Sequence, residues 1–194
     1  MNFKTEGDEV KMGNNLMFFV SHCVLNTNSK VEYFGEKKHC NEEVSRHEFI
    51  KLSLEKNIAL VQLPCPEFIM YGSNRWGHTK NQFDNTFFRA RCRKLLEPVI
   101  IELQEYLNQG DRFKVLGVVG IDGSPSCGVN VTCTGQWGGE MSSRCDLDKV
   151  IHSVTRSKEK GVFMEELERI FKEHDIDIPI MALCEANKLI RGLE

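Results

Sequence analysis

The sequence predicts a single α/β domain with a mostly parallel, Rossmann-like sheet flanked by helices. Three observations carry that prediction. Short β-rich apolar runs recur along the chain, and they alternate with longer segments whose apolar residues follow helical spacing. Three of the runs are followed within a few residues by a cysteine: Met17-Phe18-Phe19-Val20 precedes Cys23, Ile58-Ala59-Leu60-Val61 precedes Cys65, and Val115 to Ile121 precedes Cys127. Strands alternating with helices build βαβ units and hence a parallel sheet. The length of 194 residues fits one domain, against a usual size of about 100 to 200 residues.

In chain order, Leu16 to Val20 reads as the first strand. Glu42 to Lys56 reads as a helix with Val44, Ile50 and Leu54 toward the sheet, and Ile58 to Leu63 as the second strand. From Phe87 to Leu107 the positions Phe88, Cys92, Leu95, Leu96, Val99, Leu103, Tyr106 and Leu107 recur at helical spacing. Pro98 is expected to kink that helix or to start a second one. Phe113 to Ile121 is the third strand, and Val162 to Glu173 a helix with Phe163, Leu167, Ile170 and Phe171 on one side. Pro179 to Leu183 is the fourth strand, and Glu185 to Arg191 a closing helix. Two connections, Pro64 to Asn85 and Asp122 to Asp148, exceed the ~12 to 15 residues beyond which an irregular loop usually serves a function.

Composition narrows the function classes. Twenty-five basic residues against 28 acidic ones give a formal net charge of -3, without the concentrated basic surface that nucleic-acid binding needs. Residues 1 to 15 are rich in charge and read as a flexible tail, with residues 16 to 194 as the domain. No apolar stretch approaches the ~20 residues of a membrane span, so no membrane partner is expected and the location reads as cytoplasmic. In such a chain the 8 cysteines point to reduced thiols, metal ligation or catalysis rather than to disulfides.

Open parallel sheets bind ligands beyond the carboxyl ends of their strands, where Cys23, Cys65 and Cys127 are expected to meet. Three thiolates form a soft socket for an iron-sulfur cluster or a zinc ion, and three protein ligands leave one metal position open. Cys184 follows the fourth strand and reads as core filling or as a fourth ligand, Cys92 as helix packing, and Cys40, Cys133 and Cys145 as distal thiols. Glu67, two residues from Cys65, is a candidate general base or else a helix-start carboxylate. The Gly123-Ser124-Pro125-Ser126-Cys127-Gly128 string forms a turn able to present amides and hydroxyls to a ligand. His22 adjoins Cys23, but strand alternation points it away, toward a structural role.

Cys23 after the first strand, Cys65-Pro66-Glu67 after the second and Ser124-Pro125-Ser126-Cys127-Gly128 after the third together resemble the motif set of the bacterial thiouracil desulfurase (desulfidase) family. The resemblance spans roughly residues 16 to 130, and the Ser-Pro-Ser-Cys-Gly string is its most specific part. It implies a [4Fe-4S] cluster held by Cys23, Cys65 and Cys127, with Glu67 and Ser124 in catalytic positions and no net redox chemistry. The chain reads Cys23-Val24-Leu25-Asn26 where the family commonly has Cys-Leu-Leu-Gly, and Phe68-Ile69-Met70-Tyr71-Gly72 in place of its Gly-Gly-Leu, which implies a divergent member.

The expected partner is a small thiocarbonyl compound, a thiouracil-like heterocycle, whose carbon is attacked by water as its sulfur leaves. Candidate substrate contacts are Lys30, Tyr71, Arg75, Trp76 and Trp137, the aromatics by stacking and the cations on a polar edge. Two other classes use the same thiols: a Lewis-acid dehydratase or sulfur-transfer enzyme, and a non-catalytic zinc or redox-sensing domain. A purely structural zinc site has no need of Glu67 and is normally closed by a fourth ligand such as Cys184.

Overall fold

A computed structural model describes residues 15–34 and 41–193. All of the segment read as a tail except Asn15, and also Cys40, lie outside the described residues. Strand β1 (Asn15–Val20) leads into a short helix α1 (His22–Leu25), and α2 (Asn41–Glu55) precedes β2 (Ala59–Gln62). The first long connection holds α3 (Pro66–Tyr71) and α4 (Lys80–Phe83), followed by α5 (Thr86–Asn108) and β3 (Phe113–Gly120). The second holds β4 (Thr132–Thr134) and then α6 (Leu147–His152) and β5 (Thr155–Ser157) follow; α7 (Val162–Glu173), β6 (Ile180–Ala182) and α8 (Leu183–Arg191) complete the chain. The main sheet has the order β2-β1-β3-β6, and all three of its pairings are parallel. Strands β4 and β5 pair antiparallel in a separate ribbon.

The central strand β1 is buried on both faces, which is why its sequence is a continuous apolar run rather than an alternation. Met17 and Phe19 pack with Phe88, Leu96, Phe163 and Leu167 of α5 and α7, while Phe18 and Val20 pack with Phe49, Ala186 and Ile190 of α2 and α8. The result is a three-layer α/β/α domain. No helix among the described residues is long and apolar enough to cross a membrane.

Several elements differ from expectation. Helix α2 turns Arg46, Phe49 and Ser53 inward, and leaves Val44 at 60% and Leu54 at 71% exposure. Two of its inward residues are polar and find partners: Arg46 Nη1 donates to the Val24 carbonyl at 3.2 Å, and Ser53 Oγ to the Phe49 carbonyl at 2.8 Å. Ile50 packs against the core as its spacing implied, so apolar spacing misplaced Val44 and Leu54 and overlooked the polar inward residues. Helix α5 runs unbroken through Pro98, without the second start that proline suggested. Residues 22–25 are helical, so strand alternation does not govern His22, although its structural role stands: Nδ1 lies 3.3 Å from the Leu63 carbonyl.

The loop bearing Cys127 is pressed onto the start of α7. Phe163 N–H donates to the Ser126 carbonyl at 2.9 Å and Val162 N–H to the Pro125 carbonyl at 3.0 Å. A Cβ on Gly161 would stand 2.5 Å from the Ser126 carbonyl carbon and 2.9 Å from the Cys127 nitrogen, so only glycine permits this approach. Gly161→Ala is expected to cost about 1 to 3 kcal/mol by overpacking. Denaturant unfolding measures it, with Gly77→Ala, where an added Cβ meets nothing within 4 Å, as the control. Equal stability of the two variants would show that the loop yields freely.

Candidate functional site

The strand order reverses between β1 and β3, since β2 lies on one side of β1 and β3 on the other. Cys23, Cys65 and Cys127 follow the carboxyl ends of β1, β2 and β3, so they flank that reversal, the usual ligand crevice of an open parallel sheet. Cys23 lies in α1, the half-buried Cys65 caps α3, and Cys127 is buried in the loop after β3. Pro66 occupies the first turn of α3, where a missing N–H costs nothing, and the Phe68 N–H points back at Cys65 Sγ, 3.4 Å away.

Burial and nearby charges act on all three thiols. Burial pushes Cys23 up to about 12, with Lys30 opposing the shift and Cys65, Glu42 and Glu67 adding to it. Burial likewise raises Cys127 well above the ordinary thiol value, followed by the charges of Cys23, Cys65 and Glu67 and against the hydrogen bond from Ser126. Cys65 is raised by burial and by Glu67, with the Phe68 amide and Arg75 pulling the other way. At Cys23 the Lys30 charge outweighs that of Cys65, whereas at Cys127 the charges of Cys23 and Cys65 both add to the effect of burial. A soft, positively charged metal group is the kind of partner that such a donor set accepts. Among the described residues no three His, Cys, Asp or Glu side chains stand close enough to share a single metal ion.

Glu67 is only 8% exposed, and its carboxylate joins the loops. Ser126 Oγ donates to Oε1 at 2.5 Å and lies 3.5 Å from Cys127 Sγ, while Arg75 Nε stands 3.5 Å from Oε2. Ser124 is 3.5 Å from Oε1, and its hydroxyl chiefly accepts the N–H groups of Ser126 at 3.3 Å and Cys127 at 3.0 Å. Of the two serines in the turn, Ser126 is thus the closer partner of the carboxylate. Sequence spacing flagged both hydroxyls without indicating which one turns inward.

The other expected contacts divide. Lys30 lies within electrostatic reach of Cys23 and forms an ion pair with Glu42. Tyr71 packs at a tilt on His78 at 4.8 Å and stacks on Phe83 at 5.8 Å, so its ring is committed to packing on that side. Trp76 is 72% exposed and Trp137 is half-buried, and neither stacks on another aromatic ring among the described residues. Cys184 is exposed near the start of α8, which corrects its assignment to the core, and it is not among the main charges acting on the three thiols. Cys92 is fully buried on α5, as its helical spacing implied. Cys133 is half-buried within reach of the Glu67 charge, and its thiol lies 3.4 Å from the His78 carbonyl.

The uncharacterized protein MJ0003 of Methanocaldococcus jannaschii is 33% identical over 182 residues, which cover 90% of this chain and 92% of the relative. The chain belongs to the same family as MJ0003. No family profile and no solved structure matches the chain.

Proposed function

We propose that the protein is a non-redox, [4Fe-4S]-dependent desulfurase of the thiouracil desulfurase type, acting on a small thiocarbonyl compound in the cytoplasm. The observation that carries this reading is that Cys23, Cys65 and Cys127 follow three strand ends around the reversal of a parallel sheet, with Ser126 joining Cys127 to the buried carboxylate of Glu67. Cluster ligands bind different irons, so they stand farther apart than donors around a single ion, which lie about 2.3 Å from it for zinc and sulfur. Cys23, Cys65 and Cys127 would hold such a cluster, which would supply a Lewis acid with affinity for a soft thiocarbonyl sulfur.

The chain's own residues do the rest. Glu67 takes a proton from a water molecule as the water oxygen attacks the thiocarbonyl carbon. The carbon-sulfur bond then breaks, so that one thiocarbonyl and one water give one carbonyl and one hydrogen sulfide, with no change of oxidation state. Ser126 holds Oε1 of Glu67 and so directs the other oxygen, while Lys30 supplies a positive charge beside Cys23.

Anaerobic reconstitution with iron and sulfide, followed by turnover of 2-thiouracil and related thiolated heterocycles, tests the proposal. Uptake of zinc alone, without iron or acid-labile sulfide, would refute it. Ligation also has a proton signature. The raised thiols are neutral over a wider pH range, and a metal binds only their deprotonated form, so affinity should rise with pH toward the value of about 12 at Cys23. Loading near neutral pH is expected to release about three protons per chain beyond the roughly four given up by HS⁻ as it becomes cluster sulfide, read with an indicator dye. Release of the sulfide protons alone would show that the thiols are not the ligands.

A further inference from the structure

Arg75 was expected to meet the polar edge of a substrate, but its guanidinium is buried, with the side chain 3% exposed. Nη1 donates to the Gly72 carbonyl at 2.9 Å and Nη2 to the Ser29 carbonyl at 2.7 Å. Gly72 closes the helix that Cys65 opens. Ser29 belongs to the turn after the helix of Cys23, and its own hydroxyl is tied to the Asn26 carbonyl at 2.7 Å. The third edge of the guanidinium, Nε–H, is buried without a hydrogen-bond partner and lies 3.5 Å from Oε2 of Glu67. The opposite oxygen of Glu67 receives Ser126, from the loop of Cys127.

We propose that Arg75 is a positioning residue, which fixes the carboxylate of Glu67 relative to the two loops that carry Cys23 and Cys65. This inference rests on the reading of Glu67 as the base. The guanidinium is planar and rigid, so two carbonyls on its Nη atoms dictate where Nε–H points. The direction is therefore set by the two cysteine-bearing connections, and Glu67 is held between that donor and Ser126. A buried N–H left without a full partner is costly, and the 3.5 Å gap is of the kind that closes when a catalytic site fills. Lysine carries a point charge on one nitrogen and cannot span two carbonyls and a carboxylate in fixed directions.

Two measurements test the proposal. In reconstituted protein, Arg75→Lys and Arg75→Gln should lower kcat for sulfide release by about 10- to 100-fold while KM changes by less than about 3-fold. The double variant Arg75→Gln/Glu67→Gln should be no slower than Glu67→Gln alone. A rise in KM at unchanged kcat would make Arg75 a substrate contact and overturn the proposal. In metal-free protein, the ¹H-¹⁵N resonance of the Arg75 Nε–H should exchange slowly and should move in Glu67→Gln but not in Glu42→Gln. A resonance indifferent to Glu67→Gln overturns the proposal even if the kinetic result agrees. If wild-type protein releases sulfide from no thiocarbonyl, the desulfurase reading falls, and the resonance alone decides whether Arg75 positions Glu67.

Discussion

Alanine at Cys23, Cys65 or Cys127 is expected to abolish uptake of iron and acid-labile sulfide by anaerobically reconstituted protein, whereas alanine at Cys92 or Cys184 should leave it intact. That is the expected result with the largest effect. The first three follow consecutive strand ends at the point where the sheet order reverses, and each feels the charge of Glu67. Removing one thiolate from a three-ligand socket leaves too few donors for a cluster. Cys92 fills the core of α5, so its truncation costs stability, on the order of 1 to 2 kcal/mol, rather than ligation. Cys184 is exposed and is expected to tolerate alanine at little cost. Visible absorption together with iron and sulfide analysis reads the series. A still-folded Cys184→Ala protein that lost the cluster would mean four protein ligands and no open iron, which would remove the proposed mechanism.

Glu67→Gln is expected to keep the fold and the cluster while sulfide release falls by at least ~10²-fold, the usual loss when a positioned general base is removed. Glutamine preserves the shape of the side chain and can still accept from Ser126, so a change in rate reports the missing base. Ser126→Ala should follow in the same direction, because it frees the oxygen that Ser126 holds at 2.5 Å. Ser124→Ala acts by a different route. It strips two amides of their acceptor, at a cost of roughly 1 to 3 kcal/mol if they stay dry, and so loosens the loop of Cys127. Turnover in ¹⁸O-labelled water should place the label on the carbon that lost sulfur. Unlabelled product, or full activity in Glu67→Gln, would rule out the hydrolytic role of this residue.

The four strands of the main sheet, the helices α5 and α7 and the placement of three cysteines after strand ends are legible in the chain alone, whereas the β4-β5 ribbon is not. The reason is local. A parallel strand buried on both faces has to be an unbroken apolar run, and a helix with one apolar face has to repeat it every three or four residues, so Met17 to Val20 and Phe163 to Phe171 declare themselves. A thiol at a strand end is visible for the same reason. Where inward positions are polar, the pattern fails: apolar spacing overlooked Arg46 and Ser53 of α2. The short helices α3 and α4 inside the first long connection are too brief for a periodic signal, and only the reading of Glu67 as a helix-start carboxylate anticipated where α3 begins. Long-range contacts alone settle that Ser126 rather than Ser124 lies closest to Glu67, that Arg75 is spent on Ser29 and Gly72, and that Cys184 faces solvent. Those choices are made by partners up to 59 residues away, across loops whose side-chain directions follow no period, and a direction without a period is written in contacts rather than in spacing.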